Sequence, residues 1–444
     1  MQSFVNSFAV EARQHLTFRS INGYRFSMRR VSHALGESLV SIRYEVIMSQ
    51  ARKCGRKAAP SHGPAAGIST RLIVAATLLV LLVGCGGLQP KKADPVAALP
   101  KPQRDLASYS LPPEQQRCFD RESEPYTTVV DAHFHPRPFG GPAIPPEELF
   151  DYFDRLGVRF VNYFGIGQVL ELDSGCTYYL DCIGTAAKPS IKNDFVNGMD
   201  VAAHPNDNLH VTLSMTFIDL ANPEIVVQLI ELYDREYPGM FKWAGELNVM
   251  KQALLGNLHE PASLEAIDDW APFMKVLRER NIPVTLHSDL GNDSNPTEFL
   301  HLMDYVLESY PNNSIVWAHM GLSRELTTMD PDLHVSIMSE RLDEYPNLML
   351  DISWDVLYNA YHRWGNIFVE FFNEYSDRIL PGSDFVAAGS KQYGDYAKEL
   401  EVTGRVHRFL DDEAFRNIAL GENYFRLMGL DYHAPLVCAS GGQG

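Results

Sequence analysis

Two histidines, His133 and His135, close the apolar run TTVVDAHFH. Alternate side chains of an extended strand share a face, so both imidazoles point the same way and can grip one divalent cation. Four more polar residues lie in similar runs: Glu246 in FKWAGELNV, His287 in IPVTLHSD, His319 in SIVWAHMG and Asp384 in RILPGSDF. A single such histidine is usually a hydrogen-bonded core residue. A carboxylate is rarer there, because burying an unpaired charge is costly. Gathered at one end of a fold, these six groups would not tolerate one another without a cation, so the set predicts bound divalent metal. Imidazole and carboxylate without thiolate suit Zn2+ best, with Mn2+, Fe2+, Co2+ or Ni2+ as alternatives. The ligand count fits one ion or two. With two, Glu246 bridges them at the ~3.5–4 Å of two-metal sites. His133, His135 and Asp384 then hold one ion, and His287 and His319 the other. Lys242, four residues before Glu246, is a second candidate for the bridge, as a carbamate.

The elements that must position these groups follow a regular alternation from about residue 127. Besides the five runs above, RFVNYFGIG, LHVTLSMTFID and LMLDISWDV bring the number of apolar runs to eight. Each is β-branched or aromatic and near-continuously apolar, as parallel strands buried on both faces are. Between them PPEELFDYFDRLG, PEIVVQLIELYDREY, SLEAIDDWAPFMKVLRERN, EFLHLMDYVLESY and PDLHVSIMSERLDEY carry apolar residues at three- and four-residue spacing. Several open on Pro or Ser with an early acidic residue, a helix-start pattern. Eight such units in about 300 residues predict an α/β fold, a closed (β/α)8 TIM barrel, with an open doubly wound sheet as runner-up. In a barrel the reactive groups sit at the C-terminal strand ends, where the six residues fall. Residues 168–208 read as a long loop insertion after strand 2, over the barrel mouth, and FRNIALGENYFRLMGL as the closing helix.

The ordered set His133-x-His135, Glu246, His287, His319, Asp384 resembles the amidohydrolase superfamily. The segments AHFHP, LHSD, AHMG and GSDF look like its amidohydrolase-2 branch, over roughly residues 127–430. The resemblance implies a hydrolytic water activated on metal, with Asp384 as general base and passing the proton to the leaving group. A divalent ion lowers the pKa of its water to about 7, and the expected substrate is a small-molecule amide, lactone or ester. The same branch contains nonoxidative decarboxylases with a single Zn2+, in which the residue matching His319 acts in catalysis rather than as a ligand. That is one alternative; a binding lipoprotein without turnover is another, which retention of Asp384 argues against.

Around the site, Arg137 and Arg324 fall in mouth loops where guanidinium groups can clamp a carboxylate or phosphate. Trp354, Asp355 and Tyr163 are read as wall residues or, equally, as packing, and Lys391 receives no role.

The first 84 residues read as an address. LIVAATLLVLLVG (72–84) is an uncharged apolar run, too short to span a membrane and suited to a signal-peptide core behind Arg71. Leu82-Val83-Gly84-Cys85 resembles the bacterial lipobox, which makes Cys85 the expected lipidation site. The expected location is therefore the bacterial cell envelope. The protein would be lipid-anchored, at the outer membrane rather than the inner because Gly86 follows, and the barrel would face the periplasm or exterior. Met48 opens a basic stretch suited to such a leader, so residues 1–47 are read as lying before the true start. The expected division is leader 1–84, flexible Gly/Pro-rich tether 85–117, metal-dependent barrel 118–436 and tail 437–444. Four cysteines remain in the exported part: Cys176 and Cys182 can close a short ring, and Cys118 and Cys438 can staple the termini, with free buried thiols as the other reading. Before Cys85 there are 11 Lys/Arg against 3 Asp/Glu, leaving 27 against 53 beyond it, a net charge of −26. A surface so acidic repels polyanions and excludes nucleic acid as a partner. A small-molecule substrate and the membrane are the expected partners; oligomeric state is not legible.

Overall fold

Strand β1 (Val130–His135) is followed by β2 (Phe160–Tyr163), β3 (His210–Met215), β4 (Phe241–Met250), β5 (Val284–Ser288), β6 (Ile315–Trp317) and β7 (Leu348–Asp351). Each pairs in parallel with the next, as near-continuous apolar runs buried on both faces must. The computed structural model describes residues 24–31, 43–50, 102, 104–124, 128–171 and 174–439. The eighth strand comes in two pieces: Ile379–Leu380 pairs with β7, and Phe385–Val386 pairs with β1. One short segment thus hydrogen-bonds to both edges of the sheet, giving a curled, TIM-barrel-like α/β fold.

Helices alternate with the strands. α1 (Pro146–Leu156), α2 (Lys192–Ala203), α3 (Val226–Glu236), α4 (Ala271–Glu279), α5 (Leu300–Ser309), α6 (Pro331–Glu344), α7 (Asp355–Glu374) and α8 (Tyr393–Gly404) pack their apolar faces on the sheet. α1 and α6 begin with Pro in the first turn, where its missing N–H costs nothing. Between β2 and β3 lie a small antiparallel ribbon, Gln168–Leu170 with Ala187–Pro189, and α2. The stretch expected to form one closing helix is broken: a π-turn at Phe415–Ala419 precedes a helix at Glu422–Met428. Gly421 lies at the break with φ +97°, and a Cβ there would meet Val130 at 2.5 Å, so only glycine passes so close to β1.

Residues 104–117, assigned to a flexible tether by composition, are folded in part. Tyr109 is fully buried against Phe160, and Arg104 pairs with Glu124 at 2.9 Å. Burial of these two side chains outweighs the Pro-rich composition. Near the other end of the described residues, Val437 bridges to Phe119 and Cys438 bonds Cys118. Cys176 and Cys182 close the other disulfide.

The chain divides into two units, residues 1–89 and 90–444. In the first, strands 24–31 and 43–50 pair antiparallel. The apolar run 72–84, Cys85 and the Gly/Pro-rich stretch up to residue 101 lie outside the described residues. Among the described residues no helix is long and apolar enough to cross a membrane.

Candidate metal centre

The alternation of β1 puts Asp131, His133 and His135 on the barrel's inner face, while Phe134 faces outward and stacks on Tyr163 and Phe385. Asp131 accepts hydrogen bonds from the Ser383 amide (2.9 Å), the Ser383 hydroxyl (2.6 Å) and the Tyr396 hydroxyl (3.0 Å). Burial raises its pKa to about 6 against those bonds. The network ties the eighth strand to the first. The next residue, Asp384, donates its amide to the His133 carbonyl at 2.8 Å with φ +56°. Its Oδ1 thereby comes to 3.1 Å from His135 Nε2 and 3.5 Å from His133 Nε2.

The imidazole tautomers follow from what lies behind each ring. His133 Nδ1 donates to Asp351 Oδ2 at 2.5 Å, and His135 Nδ1 to the Gly165 carbonyl at 3.1 Å. Both acceptors are oxygen without hydrogen, so in the neutral rings the lone pairs sit on Nε2. These two nitrogens lie 3.2 Å apart, facing each other. Neutral, they have no hydrogen to share; positive charge between them and Asp384, whether a proton on His133 or a divalent ion, resolves the arrangement. The electrostatics agree. Burial pushes the His133 pKa down, but Asp351, Asp384 and Glu246 carry it up to about 9. Burial also works against ionised Asp384, yet His135, His133 and His319 hold its carboxyl well below the usual range.

Glu246 reaches the same point from β4. Its Oε2 is 3.6 Å from His135 Nε2 and 3.8 Å from His133 Nε2. Its Oε1 contacts His287 Nδ1 and accepts from Lys251 Nζ at 3.0 Å, with His319 Nε2 at 3.7 Å. Gly245 permits this: at φ +118° a Cβ would lie 2.4 Å from the Thr285 carbonyl oxygen. Burial opposes the Glu246 charge, but Lys251 and His287 drive its pKa well below normal. His287 is engaged at both nitrogens, with Nε2 on Asp289 Oδ1 at 2.9 Å. His319 follows β6 in a left-handed turn with Met320 (φ +55° and +52°), a conformation costly for such residues. Ser353 holds its Nδ1, by hydroxyl at 3.0 Å and carbonyl at 3.3 Å, and His319 Nε2 is buried with no hydrogen-bond partner.

All six sequence-predicted ligands therefore meet in one cluster, with Glu246 between the histidine pairs, and three-residue ligand sets can be drawn from it. An orphaned buried nitrogen, two opposed Nε2 atoms and an all N/O donor set fit a divalent cation.

Two other expectations need correction, those for Lys242 and Arg137, and two residues left open find their places. Lys242 is exposed on β4, out of reach of a bridging role. Arg137 is bound to Asp200 and to Asn197 at 3.1 Å, turned to α2 rather than lining the cavity. Its neighbours on α2 are acidic and polar and hold it there. Tyr163 is buried against Phe134 and Phe153, packing rather than wall. Lys391, given no role, lines the cavity and pairs with Glu399 at 3.3 Å. Arg324, Trp354 and Asp355 do line the cavity, whose volume is about 670 Å3.

Sequence reasoning missed Asp351, Asp289 and Lys251. The first two carried a signal: Asp351 ends an apolar run as Asp384 does, and Asp289 stands two residues past His287, on the same face. Lys251 lies just beyond β4 and carried none.

The amidohydrolase family model matches residues 216–423. That span holds Glu246, His287, His319 and Asp384. Solved structures resembling the chain include a Campylobacter jejuni dihydroorotase at 15% identity, covering 68% of this chain and 83% of that one with a TM-score of 0.39. A Burkholderia multivorans amidohydrolase with bound zinc is 11% identical, covers 68% and 99%, and gives 0.43. A Saccharomyces cerevisiae dihydroorotase in complex with 5-fluoroorotic acid is 11% identical, covers 68% and 84%, and gives 0.39. Likeness at this level says nothing of activity. No curated protein matches.

Proposed function

We propose that the chain is a metal-dependent hydrolase of the amidohydrolase superfamily that cleaves an amide, lactone or ester bond of a small molecule. The observation that carries it is the convergence of His133 Nε2, His135 Nε2, Asp384 Oδ1 and Glu246 Oε2 at 3.1–3.8 Å, at the strand ends beneath the cavity. His133, His135, Asp384 and Glu246 would hold the ion, Zn2+ by donor type, and His287 and His319 would complete the site or take a second ion. When bound, the ion supplies water activation and polarisation of the scissile carbonyl.

The rest is work for the chain's own residues. Asp384, held anionic, accepts the proton of the attacking water and later returns it to the leaving group. His319 Nε2, which makes no hydrogen bond among the described residues and lies 3.7 Å from Glu246 Oε1, would face the reacting centre. Asp351 and Ser353 fix the orientation of the His133 and His319 rings, as groups behind metal-facing histidines do. Trp354, with Tyr178 and Tyr179 from the stretch read as an insertion (168–208), lines the cavity and would limit the access of bulk water to the site. We further propose that the hydrolase is lipid-anchored through Cys85 in a bacterial envelope, a reading supported by the LVGC sequence behind the apolar run.

The test is a panel of esters, lactones and amides assayed before and after chelation and on readdition of Zn2+. Chelation should abolish turnover and metal should restore it, and Asp384→Asn should lower kcat ~10²–10⁴-fold. Turnover indifferent to chelation would sink the reading.

A further inference from the structure

Three cationic side chains line the cavity, and two are already neutralised: Lys251 lies on Glu246 at 3.0 Å and Lys391 on Glu399 at 3.3 Å. Arg324 is different. Among the described residues no carboxylate lies within ion-pair distance of it; Asp355 shares the rim without pairing to it. Its Nη1 donates to the Tyr178 hydroxyl at 3.4 Å, and its Cζ lies 5.4 Å from the Trp354 ring centroid. The Trp354 ring is in turn 5.0 Å from the His319 imidazole. One aromatic ring therefore spans the space between the ligand cluster and an uncommitted guanidinium.

In a unit so rich in acid, with Glu246, Asp384, Asp181 and Asp355 all facing this cavity, an anionic substrate would be repelled unless something receives its charge. Arg324 is the group placed to do so. Its planar fork matches a carboxylate bidentately, and Trp354 and Tyr178 restrict its position. A phosphate dianion would call for a second uncommitted cation, and the cavity offers none among the described residues. The wall between the two ends is apolar and aromatic, from Phe139, Ile166, Tyr179 and Trp354.

We infer that Arg324 is the substrate-recognition residue for a carboxylate. The substrate class is then an amide, lactone or ester with a flat apolar body, bearing a free carboxylate remote from the scissile bond. This rests on the hydrolase reading above for the bond cleaved, but the binding claim is tested without turnover. Calorimetric titration of the metal-loaded full chain with 4-carbamoylbenzoate and with its neutral diamide, terephthalamide, compares one shape with and without the charge. The carboxylate should bind tighter by on the order of tenfold or more. Arg324→Gln should erase that preference with affinity for the diamide unchanged, and Arg324→Lys should keep part of it. Equal affinities in the wild type, a preference that survives in Arg324→Gln, or binding of neither probe would overturn the inference. Loss of all hydrolysis on the wider panel would instead sink the hydrolase reading and leave this comparison standing.

Discussion

The two halves of the ligand cluster are built on different principles. On the β1 and eighth-strand side, His133 and His135 are gripped from behind by Asp351 and the Gly165 carbonyl, leaving both Nε2 atoms turned inward with Asp384. On the β4–β6 side, His287 is satisfied at both nitrogens, by Glu246 and Asp289, and Lys251 already supplies a positive charge to Glu246. No lysine or arginine faces the first half among the described residues, whereas Lys251 faces the second. Six residues of three types thus give one half whose Nε2 atoms and carboxylate are turned to a common point and another whose groups are largely bonded to one another. Only His319 Nε2 in the second half waits for a partner.

The comparison can be broken or sharpened by substitution. The largest change after loss of a ligand itself is expected at Asp351. Asp351→Asn removes the charge behind His133 and should weaken metal binding ~10–100-fold, read by competition with a coloured chelator. Asp289→Asn, behind a ring that is not free, should cost less. Equal losses at the two positions would erase the asymmetry.

A smaller effect, of opposite sign, is expected at Lys251. Lys251→Met takes the ammonium off Glu246 and should strengthen uptake of a second divalent equivalent, seen as a second step in a Zn2+ titration. A titration indistinguishable from wild type would show that Lys251 does not guard that half.

The smallest effect concerns a carboxylate outside both halves. Asp194 accepts from the Thr216 amide and hydroxyl and from Tyr233, but no cation faces it, and burial raises its pKa to about 7. Glu246, buried, and Asp384, partly buried, go the other way because histidines face both and Lys251 faces Glu246. Between the ordinary 3.8 and about 7 the folded chain holds the Asp194 proton while the unfolded chain releases it. Asp194 therefore contributes stability that is fully present below pH 4 and is lost as the pH rises to 7. In urea unfolding at a series of pH values, Asp194→Asn should flatten that decline; an unchanged slope would remove Asp194 as its source.

How much of this was legible in the sequence depended on how local the signal was. The strands and the meeting of the six candidate residues could be read because those residues lie in five apolar runs, His133 and His135 sharing one, and periodicity reports the face of a strand directly. The places of Arg137 and Tyr163 were left open by the sequence because neighbours on helices, Asp200 and Phe153, decide where those side chains turn. The tether boundary failed for a similar reason: Arg104 and Tyr109 are held by Glu124 and Phe160, partners that Pro-rich composition does not announce. Lys251 was invisible although Glu246 stands only five residues before it, because a lysine just past a strand end carries no pattern that says it turns back onto that strand.

The most direct test of the asymmetry is metal content per protomer by elemental analysis after dialysis against a mild chelator, for wild type, His133→Ala and His287→Ala. The account predicts at least one retained equivalent in the wild type, one still present in His287→Ala, and close to none in His133→Ala. Retention in His133→Ala equal to wild type, or no metal in the wild type at all, would contradict it.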